Sequence, residues 1–242
     1  MPEKQLKKRA LGKRTLASAI IIFLLIPITI FCGIVFLEDR KYYFISVLII
    51  IYTMIPFAMI FEDRDPQARE LVLIAVLTAI AVAGRGAFFM MPQFKPVVAI
   101  AIITGVSLGP ESGFLVGAMS GFVSNFFFGQ GPWTPWQMFC FGIVGFLAGI
   151  LYQKRILKIS KLSLCVYGGL ATFFIYGGIV DIGSLLIFNS HFSWKALLAT
   201  YASGFKFNLI HASATVFFLY ILSDPMLEKI NRIKIKYGLI EI

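Results

Sequence analysis

Charge is scarce in this chain, acidic charge most of all. Only 14% of its 242 residues are charged, with 12 Asp and Glu against 22 Lys and Arg, and there are two His and three Cys. Soluble domains carry charge on about a quarter of their residues, so a water-facing surface cannot be assembled from this composition. Cys32, Cys140 and Cys165 are scattered through apolar runs without CxxC spacing. They predict buried free thiols, not a disulfide framework or a zinc site. GxxxxGK[ST] and HExxH are missing, which removes phosphate-loop ATP hydrolysis and one common metallohydrolase chemistry. No catalytic residue, metal or cofactor is expected.

What the chain has in quantity is apolar residues, 59% of the total with 25 Phe. Several runs reach the roughly 20 residues a helix needs to cross a hydrocarbon core. The spacing predicts helices over 15–37, 42–61, 69–90, 96–108, 111–128, 136–152, 162–188 and 197–222, followed by a polar, basic tail at 223–242. The first run is too long for the apolar region of a signal peptide and no A-x-A site follows it, so it reads as a retained transmembrane helix. The expected fold class is all-α: a polytopic membrane protein with a six-helix core and two extra N-terminal transmembrane helices. Residues 1–66 form the basic head and the extra pair, and residues 67–242 the core and tail.

The net charge of +10 does not point to nucleic acid, because the charges sit in short clusters between apolar runs. With eight helices, 16 of the 22 Lys and Arg fall on the side that holds the head and tail, and 6 on the other. Basic residues concentrate on the cytoplasmic side of membrane proteins. Both termini are therefore expected in the cytoplasm, with the lipid bilayer as the surrounding solvent.

Small residues recur every fourth position at Ala75, Ala79, Ala83 and Ala87, and again at Gly113, Gly117 and Gly121. Such stripes let helices approach closely in lipid. Packing within the chain accounts for the glycines. The alanines serve either that or docking of a separate protein.

Polar residues inside the helices are the sharpest signal: Arg85, Asn125, Asp181, Lys206, Asn208 and His211. A charged side chain at mid-bilayer costs at least ~2.5–3.5 kcal/mol, so each needs a partner or a polar cavity. Asp181 and Lys206 lie at similar depth, which suggests a salt bridge. Snorkelling serves equally for Arg85 and Lys206, and His211 alone reads as a core histidine. Two outer loops add Gln93 and Lys95, then Gln130, Trp133, Trp136 and Gln137, held semi-rigid by prolines. They fit an interfacial aromatic belt and a ligand lid equally well.

Residues 75–152 resemble the substrate-binding S components of energy-coupling factor (ECF) vitamin transporters. The resemblance rests on the alanine stripe, on Met91-Pro92-Gln93-Phe94-Lys95-Pro96 and on Gly105-Val106-Ser107-Leu108-Gly109-Pro110-Glu111-Ser112-Gly113-Phe114. It continues through Gly117-Ala118-Met119-Ser120 and Gly131-Pro132-Trp133-Thr134-Pro135-Trp136-Gln137-Met138. It implies a non-enzymatic subunit of a bacterial cell membrane that captures a vitamin at the outer face. The vitamin would pass to an ECF transmembrane subunit driven by two ATPase subunits. The docking face falls on Ala75 and Ala79, extending to Ala83. The Gly-Pro-Trp-Thr-Pro-Trp loop and the extra helices look most like a cobalamin-type member. A stand-alone secondary transporter would show membrane carboxylates or broken helices in matching halves. An intramembrane enzyme would show clustered acids or a nucleophile beside a base.

Overall fold

The computed structural model describes residues 13–37, 44–45, 47–52, 68–188 and 193–237. Among them helix is the only regular structure. α1 (Lys13–Ile20) passes through a widened π turn at Ile21–Leu25 into α2 (Ile26–Leu37). Residues 44–45 and 47–52 are helical, so part of the expected 42–61 helix is present and the rest lies outside the described residues. Then follow α3 (Ala68–Ala87), α4 (Val97–Leu108), α5 (Pro110–Phe128), α6 (Trp133–Gln153) and α7 (Lys161–Leu170). A second π turn, Ala171–Gly177, joins α7 to α8 (Gly178–Phe188), and α9 (Trp194–Tyr237) ends the described chain.

Five stretches among the described residues are long and apolar enough to cross a membrane: Thr15–Cys32, Arg69–Ala87, Trp133–Gln153, Lys161–Phe188 and Trp194–Tyr237. Their outward faces carry exposed Val72, Val76, Ile80, Phe174, Leu198 and Phe205. Lipid accepts such a surface, and the helical backbone satisfies its own polar groups within it. The protein is thus an all-α polytopic membrane protein.

α4, α5 and α6 form the centre. All twelve residues of α4 are buried, and at about 1.5 Å rise per residue the helix is too short to cross a bilayer unaided. Its neighbours enclose it at close range. A Cβ on Gly105 would lie 2.1 Å from the Gly145 carbonyl oxygen, and one on Gly117 would lie 2.5 Å from the Phe141 carbonyl. The glycine stripes are therefore spent on contact within the bundle, where lipid cannot match tight backbone packing. The turn at Gly109, with φ of 106°, reverses the chain between α4 and α5, a conformation glycine adopts without a Cβ clash.

The N-terminal helix lies on this core. Ile22, Ile26 and Ile30 are buried, as are Ile45 and Ile49 beyond it, and Phe23 meets Phe146 edge to face. Thr15 and Ser18 lie next to the carboxyl group of Glu111 in the first turn of α5.

Two boundaries differ substantially from the sequence expectation. α6 begins at Trp133 rather than 136, so Trp133, Thr134 and Trp136 are helical. The segment expected as a polar tail from residue 223 continues α9 to Tyr237. Its apolar residues recur at helical spacing, and Met226, Leu227, Ile230, Ile233 and Tyr237 pack on the core. Lys234 donates to the Ser107 carbonyl at 2.9 Å, and the Arg69 guanidinium sits 4.6 Å from the Tyr237 ring centre. The basic residues masked this amphipathic pattern.

Candidate substrate site

The polar residues inside the helices converge at one end of the bundle. This is the end where α3 runs into the 88–96 turn and α5 meets α6. From α3, Arg85 Nη1 donates to Asn125 Oδ1 at 2.8 Å and also to Ser124 Oγ. Asn125 then donates from Nδ2 to Thr134 Oγ1 and to Gln137 Oε1, both at 3.0 Å. Thr134 donates to Gln130 Oε1 at 2.9 Å, and Gln130 Nε2 donates to the Phe122 carbonyl at 3.0 Å. Four of the predicted residues, Arg85, Asn125, Gln130 and Gln137, thus belong to one network. Ser124 and Thr134 complete it. Ser124 does not stand out in the sequence because a hydroxyl in an apolar helix usually bonds back to its own turn, as it also does to Ser120. Thr134 does not because it falls in the expected loop before residue 136, where hydroxyls are common.

A second polar pair lies on α8 and α9. Asn208 Nδ2 donates to Asp181 Oδ2 at 2.8 Å, and the carboxyl is buried against the Gly204 backbone. This corrects the expected Asp181–Lys206 salt bridge. Lys206 is on an exposed face of α9 and forms no ion pair with Asp181. Two positions separate 206 from 208, about 200° around a helix, so only one of them can face α8.

Aromatic side chains lie between the two polar groups. His211 is buried with its ring 4.5 Å from that of Tyr176 and 6.3 Å from that of Phe141. Tyr176 and His211 are both within electrostatic range of Arg85. His211 Nδ1 has no hydrogen-bond partner among the described residues. Trp136 packs its ring on Gly183 of α8, which ties the start of α6 to the second polar pair.

The remaining predicted residues sit nearer the surface. Trp133 folds its ring over Gly131 and is 38% exposed. Gln93 is exposed at the tip of the 88–96 turn with φ of 58°. Lys95 Nζ donates to the Phe88 carbonyl. Partial burial, and after it the neighbouring Arg85 charge, lower the Lys95 pKa.

The alanine stripe is on a different face. Ala75, Ala79 and Ala83 are exposed and border an apolar groove of about 770 Å³. Leu115, Met119 and Val123 of α5 form its other wall, and Ile50 contributes from the N-terminal region.

A helical membrane protein thus gathers polar and aromatic side chains at one end and carries an exposed small-residue stripe on a different face. The chain belongs to the family of ECF-type riboflavin transporter S components, whose model matches residues 66–224. Members of this family are transporter components, not enzymes. The chain is also similar to a UPF0397 protein of Vibrio atlanticus, with 31% identity over 125 residues, 49% of this chain and 68% of the relative. A UPF0397 protein of Aliivibrio salmonicida is 36% identical over 98 residues, covering 37% of this chain and 53% of the relative. One of Aliivibrio fischeri strain MJ11 is 35% identical over 89 residues, covering 35% and 48%. The chain therefore spans about half the length of the last two. No solved structure matches it.

Proposed function

We propose that this chain captures a vitamin at the extracellular end of the bundle and delivers it to an ECF transmembrane subunit powered by two ATPase subunits. The observation that carries this reading is the division of labour between two faces. Arg85, Asn125 and Gln137 on one wall and Asp181 and Asn208 on the other converge at one end of the bundle, around Tyr176, His211 and Trp136. Aromatic faces and amide edges together suit a flat heterocycle with hydrogen-bonding rims.

The docking face is Ala75, Ala79 and Ala83. An exposed flat stripe on a spanning helix wastes packing unless another helix covers it. On this reading residues 67–242 form the capture unit, and residues 1–66 are a separate N-terminal section with a basic head and two extra transmembrane helices. Both termini are cytoplasmic, in keeping with the Lys and Arg count.

Riboflavin, named in the family description, and a corrinoid such as cobalamin, suggested by the loop at 131–138, are the two ligands to compare. Thermal unfolding of the purified chain in detergent measures both. A ligand that binds only the folded state stabilises it by RT ln(1 + [L]/Kd), about 2.7 kcal/mol at a hundredfold excess over Kd. A shift with one of the two, and uptake in cells only when the ATPase module is co-expressed, is the expected result. Uptake without any ATPase module would overturn the reading.

A further inference from the structure

Resting on that reading of the site, we infer that Arg85, assisted by Lys95, forms an anion-recognising subsite, so that the captured vitamin carries a carboxylate or a phosphate. The inference starts from charge balance. Arg85 projects from a spanning helix into the bundle interior and, among the described residues, hydrogen-bonds only through Nη1, to the neutral acceptors Ser124 and Asn125. The Phe128 ring, 5.2 Å from its guanidinium carbon, covers another side. No carboxylate forms an ion pair with it among the described residues. Asp181, an acid described at the same end of the bundle, is bonded by Asn208. A guanidinium presents five N–H donors in a planar fork, and the bonds described use one nitrogen of the three.

Lys95 adds a second positive charge within electrostatic range of the first. Its amino group bonds to a backbone carbonyl and not to an acid. Two cations held close together without an acid repel each other. An unpaired charge away from water is also costly. The neighbours of Arg85 do not relieve this. Tyr176 is a neutral phenol, and His211 adds no negative charge. Ser124, Asn125 and Phe128 fix the guanidinium in position and leave its other donors without partners among the described residues. A carboxylate or phosphate oxygen pair matches that fork. Structural use of Arg85 alone, as a brace between α3 and α5, needs only the hydrogen bonds, which a neutral glutamine could supply.

The test uses ligand pairs that differ only in the anionic group: riboflavin against riboflavin 5′-phosphate, and pantothenate and biotin each against its neutral alcohol or amide. Binding to the full chain in detergent is measured for each by calorimetry, at low and high salt. The expected result is that the anionic member of one pair binds roughly tenfold to a hundredfold more tightly, with the preference shrinking as salt rises. The phosphate pair and the carboxylate pairs separate the two oxygen-acid chemistries. Arg85→Gln should abolish the preference, while Arg85→Lys and Lys95→Gln should each reduce it. The two milder variants keep the test readable where Arg85→Gln does not fold. Equal or tighter binding of the neutral member, such as riboflavin over its phosphate, overturns the anion subsite and leaves the capture function standing. A preference that survives in Arg85→Gln also overturns it, as does binding by none of the anionic probes together with cobalamin binding that Arg85→Gln leaves unchanged.

Discussion

Asn208 donates a hydrogen bond from Nδ2 to Asp181 Oδ2 at 2.8 Å, joining α9 to α8 within the membrane span. The pair supplies the carboxyl with a partner that Lys206, on an exposed face of the same helix, does not. Removing one side of a buried hydrogen bond to a charged group costs about 1–3 kcal/mol, because the other side is left without a partner. Asn208→Ala should therefore lower the thermal stability of the ligand-free protein. Lys206→Ala should change it by no more than ~0.5 kcal/mol, as for an ordinary surface substitution. Unfolding in detergent checks both, and an equal loss in the two variants would show that the ion pair forms after all.

The glycine contacts predict a contrast within one residue type. Gly105→Ala drives a Cβ into the Gly145 carbonyl, where both partners are backbone, and should destabilise by about 1–3 kcal/mol or prevent folding. Gly178, helical with nothing within 4 Å of its Cβ position, should gain up to ~1 kcal/mol when changed to Ala, from helix propensity. Melting temperatures of the two variants give the comparison.

At the alanine stripe, Ala79→Trp should leave vitamin binding by the isolated chain within about twofold, since the stripe faces away from the polar site. Co-purification with the transmembrane and ATPase subunits should be lost. Retained co-purification would move the docking face elsewhere.

Orientation can be tested with single cysteines at exposed positions of opposite ends. Met90→Cys, at a side chain 86% exposed, should react with an impermeant thiol reagent added outside intact cells. Lys158→Cys should react only after the membrane is opened, as the Lys and Arg distribution predicts. The reverse pattern would put the polar site on the cytoplasmic face.

The network around Asn125 should behave as a unit. Thr134→Ala removes the hydroxyl that receives from Asn125 and donates to Gln130. It should weaken vitamin affinity by roughly tenfold while costing about 1 kcal/mol of stability. Titration and unfolding of one variant separate the two effects.

Composition and hydrophobic run length were enough to read a helical membrane protein, because lipid permits few other backbones. They were not enough for α9, whose last turns carry Lys229, Arg232, Lys234 and Lys236 yet place Ile230, Ile233 and Tyr237 on the core. Charge count alone hides a face that only packing reveals. The polar residues of the site were legible one by one, since a charge or amide in an apolar run is costly and stands out. Ser124 was not, because a hydroxyl in a helix can satisfy itself locally, and Thr134 was not, because it fell in the expected loop before residue 136.

Which polar groups meet could not be read from depth along the helices. Asp181 and Lys206 match in depth, but the rotation of α9 decides that residue 208 faces α8 and residue 206 does not. The same holds for the small-residue stripes. The sequence by itself determined that Ala75, Ala79 and Ala83 share one face, and that Gly113, Gly117 and Gly121 share another. Only the tertiary structure decided that the glycines are consumed in backbone contact with α6 while the alanines stay uncovered beside a groove. Period four sets which residues align on a helix. Which side of that helix finds a neighbour depends on how all the helices pack at once.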